Sequence, residues 1–214
     1  MSDLADRQRA HWPDAKAKGN ANIERYNLER GGSETLNPLA LSIQKPGQTK
    51  QKRLAKLIEL ASRFSDQLKP YSACRHSCSY CCYVAVPVSE SEAELLARAS
   101  GRKLQKPLQP VDRVYWLAER SYEHPCPFLK EGRCSVYAAR PVPCRTCVNM
   151  DDTPLQCELA QDSNANVPYA NATVIWALHA MVTGGEIQAD IRDWFRADGD
   201  GAPDIVQKSE SKAE

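Results

Sequence analysis

Cys74-Arg-His-Ser-Cys78-Ser-Tyr-Cys81-Cys82 sets four thiols within nine residues, and the reading of the whole chain turns on this stretch. Thiols two or three residues apart on a turn can converge on one ion at about 2.3 Å each. Chelation is therefore the economical explanation. Adjacent Cys81 and Cys82 point in different directions on most backbones, so they serve two metals most easily, or one metal and one structural role. His76 sits inside the group, but a histidine between two close cysteines reads as an exposed turn residue rather than a ligand.

A second group follows, with Cys126 in CPFL, Cys134 in GRCSVY, and Cys144 and Cys147 in RPVPCRTC. Four thiols here can complete what the first group begins. Four thiolates around Zn²⁺ or a [4Fe–4S]²⁺ core leave a net charge of about −2, which Arg75, Arg133, Arg140 and Arg145 would offset. The candidate metal ligands are Cys74, Cys78, Cys81, Cys82, Cys126, Cys134, Cys144 and Cys147. Cys157, ten residues past the last pair, reads equally as a plain core thiol. Buried cysteines can be simple small hydrophobes, yet metal-like spacing occurs twice, which favours ligation. Tyr137 and Arg140, three apart, can share one side of a turn. His124 reads as a surface residue, and His179, on an apolar helix face, as a core histidine with its hydrogen bonds satisfied.

The chain of 214 residues has room for one cored domain and tails. Apolar residues make up 42%, charged residues 26%, and the net charge is +1, so no global charge drives it to nucleic acid or membrane. The amino terminus lacks the apolar region of a secretory signal, and the run TVIWALHAMV is too short to span a bilayer. The expected location is the cytoplasm. There, nine cysteines point to metal or redox chemistry, and their odd number argues against complete pairing.

Residues 1–47 are polar with broken apolar periodicity at Ile23, Tyr26 and Leu28, and read as an arm with at most one loose helix. Residues 48–197 form the expected cysteine-cluster domain, and 198–214 an acidic disordered tail. Leu54, Leu57, Ile58, Ala61, Phe64 and Leu68 recur at helical spacing until Pro70 ends the run. In PVSESEAELLARASG, Ser89 and Glu92 fit a capping box and Gly101 a carboxyl-terminal cap. Val111, Val114, Tyr115, Ala118 and Tyr122 give a third helix leading to Cys126. The stretch from Cys126 to Cys157 is rich in Pro and Cys and should be loop, with a helical turn at SVYAARP. A helix from Ala172 to Val182 stops at Gly184 and Gly185, and Ile187, Ile191, Trp194 and Phe195 mark a further short one. The expected fold is mainly α: a small irregular helical domain with a metal-stabilised cysteine-rich loop region. The basic stretch KPGQTKQKR before Leu54 reads as a solvated helix start.

These elements together resemble the YkgJ-type cysteine-cluster family, a zinc- or iron-chelating domain with the CxxCxxCC motif. Cys74 to Cys82 resembles its opening element, residues 86–96 the helix that follows, and CPFL, GRCSVY and RPVPCR its later elements, in order. The resemblance implies a metal-chelating helical domain with ligands at Cys74, Cys78, Cys81, Cys82, Cys126, Cys134 and Cys144. This chain departs from it in spacing Cys74 and Cys78 by three residues and in adding Cys147 and Cys157.

Three functions compete on this reading. The first is a metal-chelating protein holding zinc or iron, mononuclear or as an iron–sulfur cluster, for metal handling or redox and electron transfer, with a partner protein. The second is an iron–sulfur enzyme, because Cys74-x3-Cys78-x-Tyr80-Cys81 also matches the radical S-adenosylmethionine signature. Against it, Cys82 follows at once and the chain lacks alternating strand and helix signals for a β/α barrel. Methyl transfer is a related reading, since flagellin lysine methylases resemble the cysteine motif. The third is a zinc-stabilised interaction module, with nucleic acid disfavoured by the near-zero charge.

Overall fold

The computed structural model describes residues 3–75, 78–107, 124–159 and 166–196. The helix expected over 111–122, His76 and the acidic tail lie outside them. The described residues are mainly helical, with two small antiparallel sheets.

Helix α3, Lys50–Leu68, is the spine. Thr49 caps it by accepting from the Lys52 amide, and Leu54, Leu57, Leu60, Ala61, Phe64 and Leu68 form its buried face. Helix α2, Asn37–Gln44, adds Ala40 and Ile43. Helix α6, Thr173–Thr183, adds Ile175, Leu178 and Val182. With Val142, Val148 and Met150 these make a first hydrophobic core, against which Cys74 packs.

A second, smaller core includes part of the cysteine-rich segment. Strand β1, Pro87–Ser89, leads directly into helix α4, Glu90–Ser100. The expected capping box is present, with Ser89 accepting from the Glu92 amide and the Glu92 side chain accepting from the Ser89 amide. Gly101 ends α4 with φ +69°, the left-handed cap expected of it. Strand β4, Gln188–Asp190, pairs antiparallel with β1, placing Val88 opposite Ala189, and runs into helix α7, Ile191–Trp194. A short helix was expected over 187–195; its first half pairs as a strand instead, because β1 offers it an open edge. Val88, Leu96, Phe128, Ile191, Trp194 and Phe195 fill this core, and Cys126, Cys134 and Cys144 pack against it.

The segment expected as loop between Cys126 and Cys157 carries more structure than its composition signals. Leu129–Lys130 (β2) and Arg133–Cys134 (β3) form a hairpin. Its two turn residues, Glu131 and Gly132, have φ of +49° and +72°, the conformation a two-residue hairpin turn requires. A 3₁₀ turn at Tyr137–Ala139 stands where SVYAARP predicts one, and helix α5 spans Val142–Thr146.

Residues read as a polar arm form the 28-residue helix α1, Asp3–Arg30. Its buried positions, Ala5, Gln8, Ala15, Gly19, Asn22 and Tyr26, follow helical spacing but are mostly small or polar. Hydrogen bonds hold it in place of apolar burial. The Gln8 amide donates to the carbonyls of Leu155 and Glu158, Gln156 donates back to the Gln8 carbonyl, and Asn22 donates to the Met150 carbonyl. His11 Nε2 lies 2.8 Å from the buried carboxyl of Asp151. No helix among the described residues is long and apolar enough to cross a membrane.

Candidate metal centre

Each thiol is set by a chain turn whose backbone bonds are accounted for. After Pro70, Tyr71 packs edge-on to Tyr26, with ring centroids 5.7 Å apart. The Ala73 amide then donates to the Asn149 carbonyl at 2.9 Å, anchoring the chain beside Cys74. The Cys78 amide donates to Arg75, and Tyr80–Cys82 forms one 3₁₀ turn that presents Cys81 and Cys82. The Cys126 amide donates to the Cys82 carbonyl at 2.7 Å. That bond joins the two cysteine groups across the intervening sequence. Cys134 ends the hairpin, α5 carries Cys144, and Cys147 follows its last turn.

The start of α5 is fixed by a buried carboxylate. Glu92, 1% exposed, accepts from the Val142 amide at 2.8 Å through Oε1. Through Oε2 it meets Ser89 Oγ at 3.0 Å and His179 Nε2 at 2.9 Å. His179 is thus a core histidine with a partner, as its place on α6 implies. Arg145 is also buried and donates to the carbonyls of Arg140 and Ala138 and to Ser62 Oγ. It serves as a brace between α3 and the cysteine loop.

Six of the eight candidate ligands, Cys78, Cys81, Cys82, Cys126, Cys134 and Cys144, line one cavity of about 210 Å³. Arg75, Arg133 and Arg140 stand on its wall. Arg140 also lies 3.8 Å from the centroid of the Tyr137 ring, a cation–π pair that holds the guanidinium over the thiols. Cys74 and Cys147 do not line this cavity. Cys74 packs instead against the first core, and Cys147 stands two residues before Asn149. His124 is exposed. Lys50, in the basic stretch, pairs with Glu186 at 2.5 Å.

All nine cysteines are unpaired thiols, and Cys78 is the exposed one. Among the described residues no three Cys, His, Asp or Glu side chains are drawn together closely enough to hold an ion as they stand. The donors nonetheless fit a thiophilic metal on chemical grounds. Burial pushes the Cys126 thiol up to about 11. Cys144 is held well above the ordinary range by burial and then by Cys81, Cys126 and Cys147. Cys81 is raised well above it by its hydrogen bond to Cys82 and by burial. Burial raises Cys134 as well, while Arg140 and Arg145 pull it down. Crowded thiols that oppose one another's ionisation gain most from a shared cation. Zinc or iron supplied there would let several of them ionise together, each releasing its proton on ligation.

Sequence reasoning missed Glu92 beyond its capping role, and it missed Asn149. No spacing signal marks either, because their partners are distant in sequence.

A family model described as "CxxCxxCC: Putative zinc- or iron-chelating domain" matches residues 73–168, a span holding all nine cysteines. No curated protein and no solved structure gives a significant match. Over residues 73–168 the chain therefore matches the family that its cysteine elements resemble.

Proposed function

We propose that the thiols around the cavity hold zinc or iron, the iron as a mononuclear ion or an iron–sulfur cluster, and that the centre serves metal handling or electron transfer in the cytoplasm together with a partner protein. The observation that carries this reading is that six thiols, from separate stretches of chain, line one cavity of about 210 Å³ walled by three arginines. That space is below the roughly 300–1,000 Å³ of small-molecule sites. It suits an ion or a cluster better than a substrate. Exposed Cys78 at its edge leaves one side open to a partner that delivers metal or electrons.

A wider groove favours a second reading. It measures about 670 Å³, is lined by Arg75, Cys78, Tyr80, Tyr83 and Glu158 among others, and meets the cavity at Arg75 and Cys78. A cosubstrate there would sit against the centre, as an iron–sulfur enzyme of the radical S-adenosylmethionine or methyl-transfer type requires. The two small antiparallel sheets of the described residues weigh against the barrel that the former normally uses.

Metal analysis with an absorption spectrum, on protein purified without oxygen, tests the proposal. Iron with acid-labile sulfide, absorbing broadly near about 400 nm as thiolate-ligated clusters do, supports the redox reading. Micromolar binding of S-adenosylmethionine to that form would shift the function to the enzyme. Colourless protein with stoichiometric zinc supports metal handling or a zinc-stabilised interaction module. Protein free of metal after growth with both metals, and unable to take up either, refutes the proposal.

A further inference from the structure

The thiols fall into two sets, and the second set contains a cysteine that no motif assigns. Cys126, Cys134 and Cys144 pack against the second core and share the cavity with Cys78, Cys81 and Cys82. Cys74 packs against the first core. Asn149 ties Cys157 to the chain beside Cys74. Its backbone carbonyl accepts from the Ala73 amide at 2.9 Å, beside Cys74, and its side-chain amide donates to Cys157 Sγ at 3.3 Å. Cys147 lies two residues before it. None of Cys74, Cys147 and Cys157 lines the cavity.

We propose that Cys74, Cys147 and Cys157 form a second metal centre for a thiophilic ion such as zinc or ferrous iron, behind the first, with Cys81 at the junction of the two. This rests on the metal-chelating reading above and divides it into two sites. An amide donating to a sulfur is an outer-sphere contact of the kind that orients and stabilises a metal-bound thiolate. The electrostatics agree with the grouping. Cys157 is pushed up to about 12, by burial first and then by Cys74, Cys78 and Cys81, while the Asn149 amide pulls it down. Cys147 is also pushed up to about 12 by burial, then by Cys81 and Cys74. Cys81 is felt by thiols of both sets. Cys81, hydrogen-bonded to Cys82 on the cavity side and felt by Cys147 and Cys157 on the other, accordingly stands between the two sets.

Cobalt(II) titration of the reduced, metal-free full-length chain tests this, read by the sulfur-to-cobalt charge-transfer band and by bound cobalt per chain. The intact chain should take up two equivalents. Cys157→Ser and Cys147→Ser should each take up one, Cys126→Ser should keep the other one, and the double variant Cys126→Ser/Cys157→Ser should bind none. Alkylation mass spectrometry on the cobalt-loaded intact chain gives a check that needs no variant: Cys157 should be protected and become reactive when cobalt is chelated away. One equivalent in the intact chain, lost in Cys126→Ser but retained in Cys157→Ser, overturns the second centre and leaves the first standing. Failure of the intact chain to bind cobalt overturns both. A Cys157 that alkylates equally with and without cobalt also overturns the second centre.

Discussion

Replacing Glu92 should damage the protein more than replacing any cysteine taken singly in the metal-free chain. The side chain is 1% exposed and meets the Val142 amide, the Ser89 amide and hydroxyl, and His179 Nε2, at 2.8 to 3.2 Å. These partners belong to β1, α5 and α6. Glu92→Ala would leave three buried N–H donors without an acceptor, and each costs about 1–3 kcal/mol. Some relief comes from rotation of the Ser89 hydroxyl. A loss of roughly 3–5 kcal/mol follows, a large share of the 5–15 kcal/mol typical of a domain. Glu92→Gln keeps one acceptor oxygen but turns an NH₂ toward a donor, and should cost about 1–2 kcal/mol. Urea unfolding followed by tryptophan fluorescence measures both, with the midpoint falling at unchanged slope. Because Val142 opens the helix that carries Cys144, metal affinity should fall in Glu92→Gln as well. A Glu92→Gln protein within about 0.5 kcal/mol of the wild type, the spread of an ordinary surface change, would refute the argument that this carboxylate holds three elements together.

Two further outcomes are expected. A Cβ at Gly19 would stand 2.9 Å from Cβ of Pro168, a rigid ring, so Gly19→Ala should destabilise by about 1 kcal/mol net, because overpacking of about 1–3 kcal/mol outweighs the roughly 1 kcal/mol gained in helix propensity; a rise in melting temperature would refute the docking of α1. In the metal-free chain, Cys126, Cys147 and Cys157 keep their protons to about 11 to 12 when folded, whereas unfolded thiols release theirs near about 8.5. The folded state therefore binds more protons in that window, so stability is full below about pH 8.5 and falls as pH rises through it. Urea midpoints measured from pH 7 to 10 should decline, and a flat profile would contradict the burial of these thiols.

What was legible in the sequence was whatever carried its signal locally. Helix α3 announces itself by apolar periodicity, and α4 by Ser89, Glu92 and Gly101, because those signals lie within one or two turns. Helix α1 does not, since its buried face is made of Ala, Gly, Gln and Asn, and a face held by hydrogen bonds leaves no trace in hydropathy. The 129–134 hairpin was hidden in Pro- and Cys-rich sequence, although Glu131-Gly132 was available as a turn signal. The pairing of β1 with β4 joins segments about 100 residues apart, which strands of three residues cannot advertise. The cysteines were legible as a cluster of thiols, but their spacing says nothing about which core each one faces. That division belongs to the tertiary structure.

The division also predicts how the fold should respond to metal removal. The first core draws on α2, α3 and α6 and on the segment around Val148, so it can stand on apolar burial. The second rests on two short strands, α4, α7 and the 126–136 hairpin region, and is joined to the first by Glu92, which bonds Val142 and His179, and by Leu95, which packs against the first core. Metal–thiolate bonds from Cys78–Cys82 to Cys126, Cys134 and Cys144 would fasten the two together, and for a region with little core of its own such bonds are folding energy. Chelation should therefore loosen the second core before the first. Hydrogen exchange followed by mass spectrometry would locate the loss: peptides covering 126–144 should lose protection on metal removal while α3 keeps most of its own. Equal loss across both regions would mean that the chain opens as one unit and that the metal does not act as the fastening between its cores.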